Sequence, residues 1–273
     1  MNKIIVPTDF TSVSEVAIRY ALEIAKTLNS TVSTLHIVKS TNELNDARIK
    51  MQAQILGIAP DAQVDHIARV GNIFDDIPKV AAEEQAELVV MGTHGLRGMQ
   101  FIVGSHALRV ISECPVPVII LQEKTNMSER LNDIIVPLDL NSETKQTLKI
   151  AGDIAERFKA HIHLLSPSES DEFLNNKILR NVGYGEGYLE SRNLPYTSLT
   201  TKAGPSGFVK EMIHYAQEKG IDMICILNKA DENLIHAFGI DSEQKIITNE
   251  PAIPVLIMNP TAASVDDRSI FAQ

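Results

Sequence analysis

Fourteen residues, Gly92 to Ser105 (GTHGLRGMQFIVGS), hold four glycines directly after the apolar run Leu88-Val89-Val90-Met91. Glycine forfeits backbone entropy and packs nothing in an ordinary helix or strand. Such a density just past a strand-like run points to main chain that must lie close to something. Met91 and Gly92 end that run, and Gly104-Ser105 opens a predicted helix from His106 to Glu113. Uncovered N–H groups and the positive end of a helix dipole together suit an anion such as phosphate. Ser105 adds a hydroxyl that caps the helix or reaches the phosphate. A single glycine here would be read as a tight strand-to-helix connection; four favour phosphate. Asp9 lies just past the first apolar triplet, Ile4-Ile5-Val6, beside the same crevice. Its carboxylate suits ribose hydroxyls, adenine edges or a magnesium-bound water. It equally suits the opening of a polar turn shaped by Pro7 and Thr8. Ile37-Val38, ending the second predicted strand, offers backbone groups and an apolar wall to a base.

Other reactive residue types carry less. His94 sits in the glycine stretch and could touch phosphate or act as a base, but the sequence places no carboxylate partner beside it, so it reads as a bystander. His161 and His163 alternate along a strand and share one face; two ligands fall short of a zinc site, and packing against helices is expected. Cys114 and Cys225 sit at apolar runs and read as reduced core thiols with no activating cation. The glycines of GYGEGYLE, from Gly183, follow a helical stretch and predict a break in it, whereas Gly71 and Gly204 read as turns after strands. No catalytic triad, carboxylate pair or metal cluster is legible.

The elements that would position these residues occur twice. KIIVPTDFTSVSEVAIRYALEIAKTL from Lys3 is echoed by DIIVPLDLNSETKQTLKIAGDIAERF from Asp133, and CPVPVIIL by EPAIPVLIM. Each copy reads apolar triplet, proline, aspartate, polar turn and amphipathic helix. Val13, Val16, Ala17, Tyr20, Ala21, Ile24, Ala25 and Leu28 form the buried stripe of the first helix, and Leu148, Ala151, Ile154, Ala155 and Phe158 that of the second. Ser12-Val13-Ser14-Glu15 is spaced as a capping box. Strands are expected near 3–7, 32–38, 63–70, 87–92 and 117–122, and again near 133–138, 161–166, 196–203, 222–227 and 254–259. Strands alternating with helices predict, in each half, a five-stranded parallel sheet with helices on both faces. Ligands of such sheets bind beyond the strand C-termini where the strand order reverses. The expected domains span 1–125 and 131–260, joined by a polar linker within 123–132, with a mobile tail over 261–273.

Composition narrows the class. The chain has 273 residues, 44% of them hydrophobic, and a mean hydropathy of −0.01, as expected of a globular protein with two cores. No apolar run approaches the ~20 residues of a membrane span. Met1-Asn2-Lys3 leads straight into a strand, leaving no room for a signal peptide, so a cytoplasmic location away from membranes is expected. A formal net charge of −10 argues against a nucleic-acid surface.

Taken together, VPTDFTSVSEVAIRYALEIA, GTHGLRGMQFIVGS and CPVPVIIL resemble the universal stress protein A family, and the resemblance extends over both halves. It implies two tandem Rossmann-like domains of the adenine nucleotide alpha hydrolase type. It also implies dimer-like pairing of domains and, in a subset of members, ATP binding with magnesium. That subset carries G-x2-G-x9-G-[ST], which maps here onto Gly92, Gly95, Gly104 and Ser105; eight residues stand between Gly95 and Gly104 where the pattern has nine. Ala107 replaces a hydroxyl or carboxylate of some relatives. The implied nucleotide site comprises Pro7, Thr8, Asp9, Val38, Met91, Gly92, His94, Gly95, Gly104, Ser105 and His106. The second half has Leu227-Asn228-Lys229-Ala230 opposite the first glycines and only Gly239 in the rest of that stretch. It is therefore expected to be nucleotide-free. The resulting expectation is a stress-response regulatory module with ATP in its first half. The alternative is a structural or interaction protein without nucleotide, acting on an unidentified protein partner. Strand 117–122 is expected to pair with 254–259 as an intrachain pseudo-dimer, and a homodimer of chains is a further expectation.

Overall fold

The computed structural model describes residues 2–93, 104–126, 130–228 and 241–260. The chain forms two compact units, Met1–Met127 and Ser128–Ile270.

The first unit runs β1 (Asn2–Pro7), α1 (Ser12–Leu28), β2 (Ser30–Val38), a 3-10 turn (Thr41–Glu43), α2 (Leu44–Ile58), β3 (Val64–Val70), α3 (Ile73–Glu83), β4 (Leu88–Thr93), α4 (Gly104–Glu113) and β5 (Val118–Gln122). All its strands are parallel, in the order β3-β2-β1-β4-β5. Ile4, Ile5, Val6, Leu88, Val89, Val90, Met91 and Val118–Leu121 are all buried, the signature of strands covered on both faces. α1 packs across β1, β4 and β5, α2 across β2 and β3, and α3 against α4 and β2. α1 ends at Asn29, whose left-handed backbone (φ 55°) closes the last turn onto Ala25 O. α3 begins at Asn72, whose side chain accepts from the N–H groups of Phe74 and Asp75 at 3.0 Å.

The second unit runs β6 (Asp133–Pro137), a 3-10 turn (Ser142–Lys145), α5 (Gln146–Phe158), β7 (His161–Ser166), α6 (Glu172–Ser191), β8 (Tyr196–Thr200), α7 (Pro205–Lys219), β9 (Met223–Leu227), α8 (Asp241–Ile247) and β10 (Val255–Met258). The order β8-β7-β6-β9-β10, again parallel, repeats that of the first unit. Corresponding contacts recur too: Thr8 N–H donates to Leu35 O and Leu138 N–H to Leu165 O, both at 2.8 Å.

Two expectations are corrected. α6 runs unbroken through Gly183, Gly185 and Gly187. A Cβ on Gly185 would stand 2.9 Å from Leu138 Cδ1 and 3.3 Å from Leu164 Cδ1, so the bare backbone lets α6 lie close against the sheet. That packing offsets the ~1 kcal/mol a helical glycine forfeits. The capping box at Ser12 does not form. Thr11 is the N-cap, without a side-chain cap bond, and Ser12 Oγ donates instead to Glu123 Oε1 at 2.5 Å. Asp9 draws Thr11 into the preceding turn, which moves the helix start by one residue. The expected tail, 261–273, lies outside the described residues.

Candidate functional site

The loop after β1 is built from short-range hydrogen bonds. Thr8 Oγ1 accepts from Phe10 N–H at 3.1 Å, donates to Gln54 Oε1 of α2 at 2.9 Å and lies 3.0 Å from Ser14 Oγ. Ser14 Oγ in turn donates to Thr11 O at 2.8 Å. Asp9 is exposed, and its Oδ1 accepts from the N–H and the hydroxyl of Thr11. This is an aspartate turn of the kind the sequence offers as one reading of Asp9. Phe10 takes a left-handed backbone, φ 66°, and its ring rests on the imidazole of His36 with centroids 4.5 Å apart. His36 Nδ1 lies 2.6 Å from Thr8 O, tying the end of β2 to the loop.

Behind this loop opens a cavity of about 400 Å³, within the roughly 300–1,000 Å³ of small-molecule sites. Pro7, Thr8 and Asp9 form one side, Leu35, His36 and Ile37 of β2 a second. Ile73 and Ile77 of α3 close it from a third, with Met91 and Gly92 of β4 and Val13 of α1 completing the wall. Its place is beyond the strand C-termini at β1, flanked by β2 and β4, where the strand order reverses. Gly92 has a packing reason of its own: a Cβ there would stand 2.6 Å from Val13 Cγ2 and 2.7 Å from Val13 O. Only glycine lets α1 sit this close to β4.

The cavity thus brings together Pro7, Thr8, Asp9, Met91 and Gly92. Val38 is buried, its carbonyl accepting from Gly71 N–H at 3.0 Å, and Ile37 takes the wall position instead. Gly104, Ser105 and His106 form the start of α4, where the dipole argument needs a helix to begin. His94 and Gly95 lie outside the described residues, as does Gly239. The sequence alone does not single out Leu35, His36, Ile73 and Ile77, which also line the cavity. The isoleucines, four apart on α3, look like any buried stripe; His36, one polar residue inside the apolar Leu35–Val38, was the available signal.

The matching place in the second unit is nearly filled. Its cavity measures about 50 Å³, between Pro137, Asp139, Phe208, Met212, Leu227 and Ile246, among others. Phe208 and Met212 of α7, the helix that corresponds to α3, are buried there, and Leu227 holds in β9 the register position that Gly92 holds in β4. Asp139 is buried, accepts from Asn141 N–H at 2.8 Å, and has its carbonyl held by Asn181 Nδ2 at 2.7 Å.

Elsewhere in this unit His163 packs on α7, its Nδ1 2.8 Å from Tyr215 Oη and its Nε2 2.8 Å from Asp133 Oδ1. The adjacent His161 bonds Thr197 Oγ1 at 2.8 Å. Burial, and then the charge of His163, hold the His161 pKa below that of an ordinary imidazole against the pull of Asp133. Among the described residues no group of three or more His, Cys, Asp or Glu could hold a metal. Both cysteines are buried; burial pushes the Cys114 thiol up to about 11 and raises Cys225 further, so neither is an activated nucleophile. No described helix is long and apolar enough to cross a membrane.

Comparison with known proteins agrees with this layout. The sequence pattern of the universal stress protein family matches residues 1–122. A universal stress protein of Methanocaldococcus jannaschii is 28% identical over 140 residues, covering 45% of this chain and 82% of that protein. Across both units, the fold is shared with a solved universal stress protein of Archaeoglobus fulgidus, at a TM-score of 0.72 and 15% identity, covering 96% of this chain and 97% of that one. A putative universal stress protein of Pseudomonas aeruginosa shares it at a TM-score of 0.66 and 16% identity, over 95% and 94% of the two chains.

Proposed function

The chain belongs to the universal stress protein family through residues 1–122, and from that footing we propose that its first unit binds an adenine nucleotide, ATP with magnesium, as a regulatory module of the stress response. The observation that carries the proposal is the contrast between the crevices: about 400 Å³ at the first strand reversal against about 50 Å³ at the second. An apolar slot between Ile37, Ile73, Ile77 and Met91 suits a flat base, and the exposed carboxylate of Asp9 suits ribose hydroxyls or a magnesium-bound water. The start of α4 at Gly104 and Ser105 supplies a helix N-terminus for phosphate. No general base stands at the described part of the cavity with a nucleophile to serve, so the reading is binding with at most slow hydrolysis.

Calorimetric titration of the full chain with Mg·ATP tests this. One site per chain is expected, and Gly104→Val should abolish binding while Ser105→Ala weakens it by roughly 0.5–1.5 kcal/mol, the worth of one hydrogen bond. Two equivalent sites would show that the second unit opens; no heat at millimolar ATP would leave the alternative, an interaction protein without nucleotide. One feature favours that alternative: the contact of Gly92 with Val13 accounts for this glycine without any ligand.

A further inference from the structure

The sheet of the second unit ends in β8, which among the described residues pairs with β7 alone. Ile162 N–H donates to Pro195 O at 3.0 Å and Thr201 N–H to Ser166 O at 2.8 Å. Main-chain groups alternate from side to side along a strand, so the odd-numbered residues face β7. Tyr196, Ser198 and Thr200 therefore turn their N–H and C=O groups outward. Residues 197–200 are exposed, Leu199 by 41%. The strand, YTSLT, carries no charge and no proline, the devices that usually blunt an edge. The corresponding edge strand β3 does carry charge, Asp65 and Arg69, the latter paired with Asp76 and Glu83. Beside β8 the charge is negative. Tyr196 Oη donates to Glu190 Oε1 at 2.7 Å, and Glu186 lies one turn earlier on α6. The bond to Glu190, and the charges of Glu190 and Glu186 with it, hold the Tyr196 phenol above its ordinary value.

We propose that β8 is a docking edge for an extended, lysine- or arginine-bearing segment of another protein, which adds to the sheet as an antiparallel strand. Residues opposite Tyr196, Ser198 and Thr200 exchange main-chain hydrogen bonds with them and place their side chains on the face that α6 covers. A basic side chain at the Tyr196 end then meets Glu186 and Glu190. Pairing of β8 with its own copy about a two-fold axis would set two α6 helices side by side on that face. Like carboxylates would come together, which opposes a second copy as the occupant. The edge belongs to the second unit and acts independently of nucleotide in the first.

Fluorescence anisotropy of a labelled, N-acetylated heptapeptide alternating lysine and valine, titrated with the full chain, tests this. Saturable binding is expected, with a dissociation constant below about 1 mM. The same peptide with glutamate for lysine should bind at least about tenfold more weakly. Ser198→Pro removes an N–H that points away from β7, so the ladder to β7 keeps its bonds while the incoming strand loses its central one. Binding to this variant should fall at least about tenfold, with the far-ultraviolet spectrum unchanged. Glu186→Gln combined with Glu190→Gln should bring the two peptides to within about threefold of each other. No binding of the lysine peptide at millimolar chain overturns the proposal, as does unchanged binding to folded Ser198→Pro. If that variant does not fold, an undiminished lysine preference in the glutamine variant overturns it equally. A sedimenting dimer that Ser198→Pro converts to monomer would assign the edge to a second copy and overturn it too.

Discussion

Position 10 holds a phenylalanine in a conformation that side chains avoid, φ 66°, in the loop after β1. The left-handed region costs a non-glycine residue about 1–2 kcal/mol, and here Phe10 is held by its N–H bond to Thr8 Oγ1 and its ring contact with His36. At most positions alanine is more stabilising than glycine; at position 10 the order should invert. Phe10→Gly should be more stable than Phe10→Ala by about 1 kcal/mol in urea unfolding. Alanine as the more stable of the two would mean that the loop relaxes out of this conformation once the ring is gone. Gly92 predicts the opposite kind of sensitivity. A methyl group there meets Val13 backbone, which cannot swing aside as a side-chain tip can, so Gly92→Ala should destabilise by about 1–3 kcal/mol. A change below 0.5 kcal/mol in the same assay would show that α1 shifts to make room. At this scale the sequence showed which residues matter and only part of why. Asp9 and Gly92 were legible as candidates because polar and bare residues interrupt apolar runs. The partner that demands glycine at 92 lies on another element, seventy-nine residues earlier in the chain.

Strands were the most legible elements, because burial on both faces leaves continuous apolar runs such as Val118-Ile119-Ile120-Leu121. Their ends lie within three residues of the expected ones, the largest difference being at β8, which stops at Thr200. Propensity weighs each glycine by itself and so predicts a break in α6, whereas Gly185 is set by Leu138 in the loop after β6 and Leu164 on β7. His36, Ile73 and Ile77 are not legible for a related reason: topology, and not spacing along the chain, gathers them around one cavity. His161 on β7 carries a pH prediction. The folded-state pKa of His161 is lowered, chiefly by burial, so the native state binds fewer protons than the unfolded chain. That contribution is fully present above the ordinary imidazole value of about 6.5 and is lost as pH falls through the folded value. His66 on β3, also lowered chiefly by burial with Asp65 opposing, adds in the same direction. Melting temperatures between pH 7.5 and 5 should therefore fall, and His161→Gln should flatten part of that slope. An identical slope in the variant would remove His161 from the account.

Two units of one strand order, one with an open crevice and one filled by Phe208 and Met212, should respond differently to ligand. A ligand present at a hundred times its dissociation constant stabilises the state that binds it by about 2.7 kcal/mol. In differential scanning calorimetry Mg·ATP should raise the transition of the first unit and leave that of the second in place. A common upward shift of both would mean that the units unfold as one, and Phe208→Ala, which weakens only the second core, would then move both as well. The filled crevice has one more consequence. It gives the chain an internal blank, a second copy of the same architecture in the same buffer and at the same concentration, differing where ligand would sit. Salt, temperature or a crowding solute acts on both copies, whereas a true occupant of the first crevice acts on one. The difference between the two signals is therefore a reading of occupancy that needs no reference sample.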